Sequence, residues 1–344
     1  MTRTLARTLG ISCWLGSLLL IGAMPQALAV GTGGTGLRSA YVQGAVAPGG
    51  GIVVVGTRFN AAHATVTVNG KSGLKAQAVK AGVVAQIAGA ITLDGTRGVA
   101  NTVNVSRVLL GRLSFVGTGG TGLKAAGLYL VPQADAVLVG FHATTDLAVG
   151  DTVDVYGYVD VSSLTVQATR MERVAAVAET ELRGPITSIS ASMLVVDGVS
   201  IDYTRATLSG FDGEPQVGDN VVVKGSVSAN GLVASSVTAT NGSEPPDGSE
   251  AEVEGSVLSI VSPGVFYVGS VAIDATRATV SGGTLADIVV GSHIQVHGAI
   301  VDGVLVADSV EIDDSSDSTD DASDDGHDDG HDDGHDDRPG KGPD

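Results

Sequence analysis

Residues 217–225 read Val-Gly-Asp-Asn-Val-Val-Val-Lys-Gly, and the same pair of glycines, seven residues apart, occurs four times in this 344-residue chain. Each pair is followed by an alanine and, three residues later, by an apolar residue. The copies are Gly82/Gly89 with Ala100/Val103, Gly150/Gly157 with Ala168/Met171, Gly218/Gly225 with Ala234/Val237, and Gly291/Gly298 with Ala307/Val310. Because the copies recur at roughly 70 residues, the size of a minimal domain, the pattern predicts a tandem array of small domains.

Short β-rich runs separated by turn dipeptides fill each copy. In the third copy we predict strands at 182–189, 192–196, 199–202, 206–208, 220–227 and 232–239. The dipeptides that favour hairpins are Asn69-Gly70, Asp94-Gly95, Asp197-Gly198, Asp212-Gly213, Asn230-Gly231 and Asp302-Gly303. We interpret the first glycine of each pair as a turn into a long strand, and the second as the point where that strand bends around a barrel corner.

The fold class that follows is all-β. Five or six short antiparallel strands leave exposed edges unless they close, so each unit is predicted to be a small OB-like β-barrel. Almost no helix is expected after the N-terminal segment, and the acidic C-terminal tail is predicted to be disordered. The predicted segments are 1–29 signal peptide, 30–41 glycine-rich segment, 42–110 barrel repeat 1, 111–175 divergent repeat 2, 182–240 repeat 3, 241–252 linker, 253–312 repeat 4 and 313–344 tail.

The N-terminal segment has the features of a secretory signal peptide. Arg3 and Arg7 precede an apolar run at 11–23, and Ala-Leu-Ala at 27–29 is a small-x-small cleavage site. The run is short for a membrane span, and no later stretch approaches about 18 uninterrupted apolar residues, so we expect no transmembrane segment in the mature chain. Cys13 lies too early in the run for lipid attachment. We expect an exported protein, periplasmic or extracellular after cleavage near Ala29.

Enzyme signatures are missing from the sequence. Cleavage near Ala29 would remove the only cysteine, Cys13, and the only tryptophan, Trp14, and with the cysteine any disulfide or thiolate chemistry. The chain has no Gly-x-Ser-x-Gly elbow, no His-Glu-x-x-His and no phosphate-binding Gly-x-x-x-x-Gly-Lys motif. We therefore expect a non-enzymatic protein that requires no cofactor.

A repeated hairpin segment carries a family resemblance. Residues 201–208 read Ile-Asp-Tyr-Thr-Arg-Ala-Thr-Leu, 273–280 read Ile-Asp-Ala-Thr-Arg-Ala-Thr-Val, and 59–66 echo both. Together with the Gly-Thr-Gly-Gly-Thr-Gly run at 31–36, the Val-Gly-Asp turn and the alanine-x-x-apolar close, these segments resemble bacterial exported proteins built from tandem copies of a domain of unknown function, DUF5666. The resemblance extends over nearly all of residues 31–312 and is weaker in the second unit. It implies an OB-like barrel and export, but no activity.

Charge and aromatic content bear on the partner. Residues 30–312 carry 15 Lys and Arg against 24 Asp and Glu. Proteins that bind single-stranded nucleic acid need a basic groove and stacking aromatic rings, so we do not expect nucleic acid as a partner. The OB-like fold can also bind oligosaccharides or peptides, which leaves an envelope polymer, a glycan or a peptide as alternatives. Tyr156 and Tyr158 share one face of a strand and fit either such a surface or core packing.

The C-terminal tail offers metal ligands. It contains 14 Asp against Arg338 and Lys341, and it repeats the tetrad Gly-His-Asp-Asp three times. Imidazole suits Zn or Ni and carboxylate suits Ca, so one hypothesis is weak metal binding; the other is a solvated acidic brush that maintains solubility. The candidate ligands are His327, Asp328, Asp329, His331, Asp332, Asp333, His335, Asp336 and Asp337.

Three further expectations concern arrangement. His293 and His297 are four residues apart, but the residues between them are typical of a strand, on which the two rings would be too far apart to chelate one ion. The short connection at 173–183 predicts close contact of the units on either side. The Pro-Pro pair at 245–246 suggests that the last unit is semi-independent.

Overall fold

The computed structural model describes residues 36–120, 122–240 and 245–313, and within these ranges the protein is all-β, as predicted. The helical elements described are four short 3-10 turns, at Ala76–Ala78, Thr118–Gly120, Thr144–Asp146 and Leu285–Asp287. In the same ranges no helix has the length and apolar composition to cross a membrane. The predicted signal peptide and the acidic tail lie outside the described residues.

In the described ranges, twenty-four strands build four barrels. Barrel 1 contains β1 (Leu37–Ala45), β2 (Ile52–Val54), β3 (Thr57–Asn60), β4 (Thr65–Val68), β5 (Lys71–Leu74), β6 (Val84–Thr92) and β7 (Arg97–Val105). Barrel 2 contains β8 (Leu109–Phe115), β9 (Leu123–Ala125), β10 (Leu128–Val139), β11 (Thr152–Asp160) and β12 (Thr165–Val174). Barrel 3 contains β13 (Thr180–Ile189), β14 (Met193–Val196), β15 (Val199–Asp202), β16 (Thr207–Ser209), β17 (Asn220–Ser228) and β18 (Gly231–Ala239). Barrel 4 contains β19 (Glu250–Ser262), β20 (Val265–Val268), β21 (Val271–Asp274), β22 (Thr279–Ser281), β23 (His293–Val301) and β24 (Val304–Ile312).

Every barrel closes with the same strand order. In barrel 3, β13 pairs with β14, β14 with β15, β15 with β18 in parallel, β18 with β17, and β17 with β13. Barrels 2 and 4 repeat this order, and in barrel 1 a single bridge between Val46 and Val54 completes it. The order is that of five strands numbered 1-2-3-5-4 with strand 3 parallel to strand 5. This closed, OB-like arrangement confirms the predicted barrel and pairs most strand edges within each unit.

An Asx turn breaks the third strand into two pieces. The Asp202 carboxylate of barrel 3 accepts bonds from the Thr204 hydroxyl at 2.7 Å and backbone nitrogen at 3.0 Å. Asp274 and Thr276 form the same pair of bonds in barrel 4, at 2.6 and 3.0 Å. The hydroxyl bonds, followed by the backbone bonds, hold the pKa of both carboxylates below the ordinary value. The Asp-x-Thr-Arg-Ala-Thr segment is therefore the sequence signature of this break.

The paired glycines have the architectural roles that the sequence predicts. The first glycine adopts a left-handed conformation, as at Gly218 with φ +98°, and its backbone nitrogen donates to the first strand, here to Ile186 O at 2.8 Å. The second glycine lies at a register shift between the fourth and fifth strands of every barrel, as at Gly225. A side chain at Gly225 would collide with the carbonyl of Val233 on the facing strand. The second glycine therefore makes the bulged corner possible.

The turn dipeptides are confirmed with one exception. Asn69, Asp197 and Asp302 take positive φ ahead of their glycines, the conformation that a two-residue hairpin requires. Asp94-Gly95 and Asn230-Gly231 also connect paired strands. The prediction of a hairpin at Asp212-Gly213 is wrong, because this dipeptide lies in the connection between β16 and β17, which both pair with β18.

The four barrels pack into one compact body that extends from residue 36. Strand β8 pairs with β13, so barrels 2 and 3 are in direct contact across the short connection, as predicted. Strand β1 runs parallel to β19, with Ala40 opposite Glu250 and Gln43 opposite Val253. The expectation of a semi-independent last unit is therefore wrong, because the edge of barrel 4 is hydrogen-bonded to barrel 1. Unpaired edge groups of two barrels satisfy one another at this seam.

Candidate functional site

The candidate metal ligands of the tail, His327, Asp328, Asp329, His331, Asp332, Asp333, His335, Asp336 and Asp337, lie outside the described residues. His293 and His297 lie on strand β23, as predicted. Each faces its own glutamate on β19, with His297 Nε2 2.9 Å from Glu250 Oε1 and His293 Nε2 3.5 Å from Glu254 Oε1. In the described ranges no group of three potential metal ligands occurs.

Tyr156 and Tyr158 pack between barrels. They are 5 and 6 % exposed, and both project from barrel 2 into neighbouring units. The Tyr156 hydroxyl accepts a bond of 2.8 Å from Asn69 Nδ2 of barrel 1, while the Tyr158 hydroxyl donates to Glu254 Oε1 of barrel 4 at 2.9 Å. Burial, followed by the charge of Glu254, raises the pKa of Tyr158. Of the two alternatives for this tyrosine pair, packing is the one that the structure supports.

An exposed aromatic row crosses barrel 2 instead. Phe115 on β8 lies opposite Lys124 on β9, and Lys124 lies opposite Tyr129 on β10. Phe115 is 51 % and Tyr129 is 42 % exposed, and Lys124 Nζ lies 4.7 Å from the centroid of the Tyr129 ring. We call Phe115, Lys124 and Tyr129 the aromatic row. It lies on strands 1 to 3, which include the strands with which OB folds hold extended ligands.

The other barrels show that the fold does not require this row. The same three positions hold Ser188, Val195 and Ser200 in barrel 3. In barrel 4 they hold Ser259, Tyr267 and Ala272. Two aromatic side chains therefore stand where barrels 3 and 4 carry serine or alanine, and exposed apolar groups of this kind commonly mark a binding surface. The row is not evident from the sequence, because its members are brought together only by strand register.

Charge is distributed unevenly among the barrels. Residues 37–105 of barrel 1 carry six basic side chains and one acidic side chain, Asp94, whereas residues 250–312 of barrel 4 carry one basic and eight acidic side chains. Arg58 and Arg97 lie directly opposite each other on β3 and β7, and both are exposed. Among the basic side chains of barrel 1, Arg38 forms an ion pair within the described part of the chain, with Glu250 of barrel 4. Barrel 1 therefore carries a net positive charge, whereas barrel 4 carries a net negative charge.

A charged network joins barrels 1, 2 and 3. Arg107 Nη2 lies 3.3 Å from Asp154 Oδ2, and Arg183 Nε lies 2.7 Å from Glu181 Oε1. Arg183 Nη2 also donates to the Asn69 carbonyl at 2.9 Å. Burial raises the pKa of Asp154 to about 6, against the opposing effect of Arg107. The guanidinium groups of Arg107 and Arg183 thus have partners.

All four barrels line a central cavity of about 250 Å³. Its wall includes Gln43 of barrel 1, Tyr158 of barrel 2, Asp197 of barrel 3 and Ser270 of barrel 4, together with several valines. Arg107 and Arg183 also contribute to the wall. A concave, mainly apolar space with a few polar groups at the contact of several domains is the usual setting of a small-molecule site.

Asp197 is the unusual residue of this cavity. It is 5 % exposed, and within the described residues its carboxylate has no hydrogen-bond or ion-pair partner. Burial alone raises its pKa from 3.8 to about 7. A side chain at Gly184, on the first strand of the same barrel, would overlap this carboxylate. The sequence predicts only a hairpin-turn role for Asp197.

Comparison with known proteins agrees with the repeated fold. Residues 122–172, 183–238 and 254–311 match the family described as Domain of unknown function (DUF5666). Barrel 1 lies outside the matched segments, although it closes with the same strand order. A search of curated proteins gives no match to this chain. The chain therefore contains three tandem segments that match this domain family, one in each of barrels 2, 3 and 4.

Proposed function

We propose that this chain is a non-enzymatic, exported binding or scaffold protein of the bacterial envelope that holds a glycan chain on the aromatic row of barrel 2. The exposed rings of Phe115 and Tyr129, with Lys124 between them, support the proposal. Sugar rings have apolar faces that stack on aromatic side chains, and their hydroxyls accept hydrogen bonds from an ammonium group. Export is inferred from the N-terminal sequence alone.

The charge distribution favours an acidic glycan over a neutral one. The exposed cations of barrel 1 raise the local concentration of an anionic polymer in a protein of formal net charge −19. Because the barrels form one compact body, a polymer bound at barrel 2 remains near these cations. A weak contact at the aromatic row and a weak contact at the cations of barrel 1 then strengthen each other when they hold the same polymer. A peptide partner is the alternative, and it would be retained without any dependence on sugar.

The first prediction concerns a variant in which the two aromatic residues of the row are replaced by their barrel 3 counterparts. The double variant Phe115→Ser and Tyr129→Ser should keep the β-sheet spectrum, because serine occupies these positions in barrel 3. Its affinity for acidic polysaccharides should fall about tenfold or more, the equivalent of roughly 1.4 kcal/mol. Affinity electrophoresis through alginate, peptidoglycan fragments and neutral dextran measures the loss.

Tyr267→Val is the matched control, because Tyr267 is an exposed aromatic residue at a row position of barrel 4 and barrel 3 has Val195 there. It should change affinity less than twofold. Equal binding by the double variant and the unaltered protein would contradict the aromatic row as the site. Retention by peptides but by none of the glycans would identify the alternative partner.

A second candidate function is metal binding by the tail, and the threefold Gly-His-Asp-Asp repeat at 326–337 favours it. We expect calorimetric titration with Zn or Ni to show binding to residues 30–344 and none to residues 30–312. Replacing His327, His331 and His335 with alanine should abolish Zn and Ni binding and leave any weak Ca binding unchanged, since Ca prefers oxygen ligands. Identical titrations of the long and short chains would show that the tail does not bind metal.

A further inference from the structure

Among the described residues, the wall of the central cavity has one charged side chain without a partner. Three charged side chains contribute to its wall, Arg107, Arg183 and Asp197. The two arginines are engaged with Asp154, Glu181 and the Asn69 carbonyl, whereas Asp197 has no partner within the described residues. A buried carboxyl group without a partner is costly, so its presence calls for an explanation beyond packing.

The turn that carries Asp197 does not need a carboxylate. In the other barrels the equivalent position holds Val55, Ala126 and Gly269, and all four residues adopt the same left-handed conformation, with φ between 44° and 58°. Valine and alanine are poor choices for this conformation, and yet the turn forms with them. Aspartate is therefore specific to barrel 3, and its side chain is the one that places a charge at the cavity.

The surroundings of Asp197 favour an ammonium group over a metal ion. A metal ion needs several oxygen or nitrogen ligands, and the described residues contain no group of three such side chains. The valine and leucine side chains of the wall, such as Val84, Val159 and Leu258, offer apolar contacts instead. A volume of about 250 Å³ lies below the range of drug-sized ligand sites, which suits a small molecule.

We propose that the central cavity binds a small organic amine, with its ammonium group against the Asp197 carboxylate and its carbon skeleton against the valine wall. Gln43 lies in the same wall, and its Oε1 already accepts a bond from Gln86 Nε2 at 3.0 Å, so this amide pair is fixed in position. The site is independent of the aromatic row, and because residues of all four barrels line it, an occupant contacts the whole assembly.

The test uses the full chain in phosphate buffer, because Tris is itself a small amine. Butylamine, 4-aminobutanol and glucosamine are titrated by calorimetry and scored for a rise in melting temperature, each against its neutral counterpart, butanol, butane-1,4-diol or glucose. We expect at least one amine to bind and to exceed its neutral counterpart at least tenfold in affinity. Asp197→Asn should remove this preference, since an amide keeps the shape but lacks the charge.

Asp202→Asn is the matched control, because Asp202 belongs to the same hairpin but its carboxylate is engaged with Thr204. It should bind the amine as the unaltered protein does. A second measurement needs no variant: affinity for butylamine and 4-aminobutanol, which stay protonated, should rise between pH 5.5 and pH 8 as Asp197 ionises. Failure of all three amines to bind, equal binding of the neutral counterparts, or unchanged binding by Asp197→Asn would each overturn the proposal.

Discussion

Replacing Asp197 with asparagine should make the protein more stable at pH 8 and leave its stability at pH 4 unchanged. The folded state raises the pKa of Asp197 from 3.8 to about 7 through burial. Between pH 3.8 and about pH 7 the folded protein keeps the Asp197 proton that the unfolded chain has lost. The stability contributed by Asp197 is therefore present below about pH 4 and is lost as pH rises through about 7. A difference of about three pKa units corresponds to roughly 4 kcal/mol.

Urea unfolding of both proteins between pH 4 and pH 8.5, followed by circular dichroism in amine-free buffer, measures the effect. Asparagine suits the left-handed turn position as well as aspartate does, so the variant should keep the hairpin. Asp154, whose pKa is raised to about 6, contributes equally to both proteins and cancels in the difference. A difference that stays constant over this pH range would show that Asp197 is not held neutral by burial.

Asp202→Asn serves here as a control of opposite sign. Asp202 is partly exposed, and its bonds to Thr204 lower its pKa, so it stabilises the protein above its ordinary pKa. This variant should therefore be less stable than the unaltered protein at pH 8. Together the two variants distinguish the buried carboxyl from a general effect of removing one negative charge.

Much of the fold could be predicted from local signals. The strands expected at 199–202 and 232–239 match β15 and β18 to within one residue, because their ends are marked by turn dipeptides. The second glycine of each pair could be assigned to a barrel corner, because a bend that admits no side chain leaves a glycine at a fixed spacing. Asp212-Gly213 was misassigned, since the dipeptide fits an open loop as well as a hairpin.

The candidate sites depend on contacts that local signals do not encode. Phe115 and Tyr129 are neighbours only because both lie opposite Lys124, and this register is set by the closed barrel. The burial of Asp197 requires the packing of four barrels, which a repeat pattern does not specify. An internal comparison would have given one hint, because Asp197 stands where the other copies have Val55, Ala126 and Gly269.

Replacing Gly298 with alanine should destabilise the protein by about 3 kcal/mol or more, because the corner of barrel 4 has no space for a methyl group. The new Cβ would collide with the Val306 carbonyl and press on Ala307, and both are backbone groups of a paired strand. Gly303→Ala is the control, because Gly303 has open space around its Cα and a φ of +77°, so only conformational strain of about 1 to 2 kcal/mol is expected. Urea unfolding of both variants distinguishes steric collision at Gly298 from the conformational strain expected at Gly303. A smaller loss at Gly298 than at Gly303 would mean that the corner can shift to admit a side chain, and the recurrence of glycine at all four corners would then need another reason.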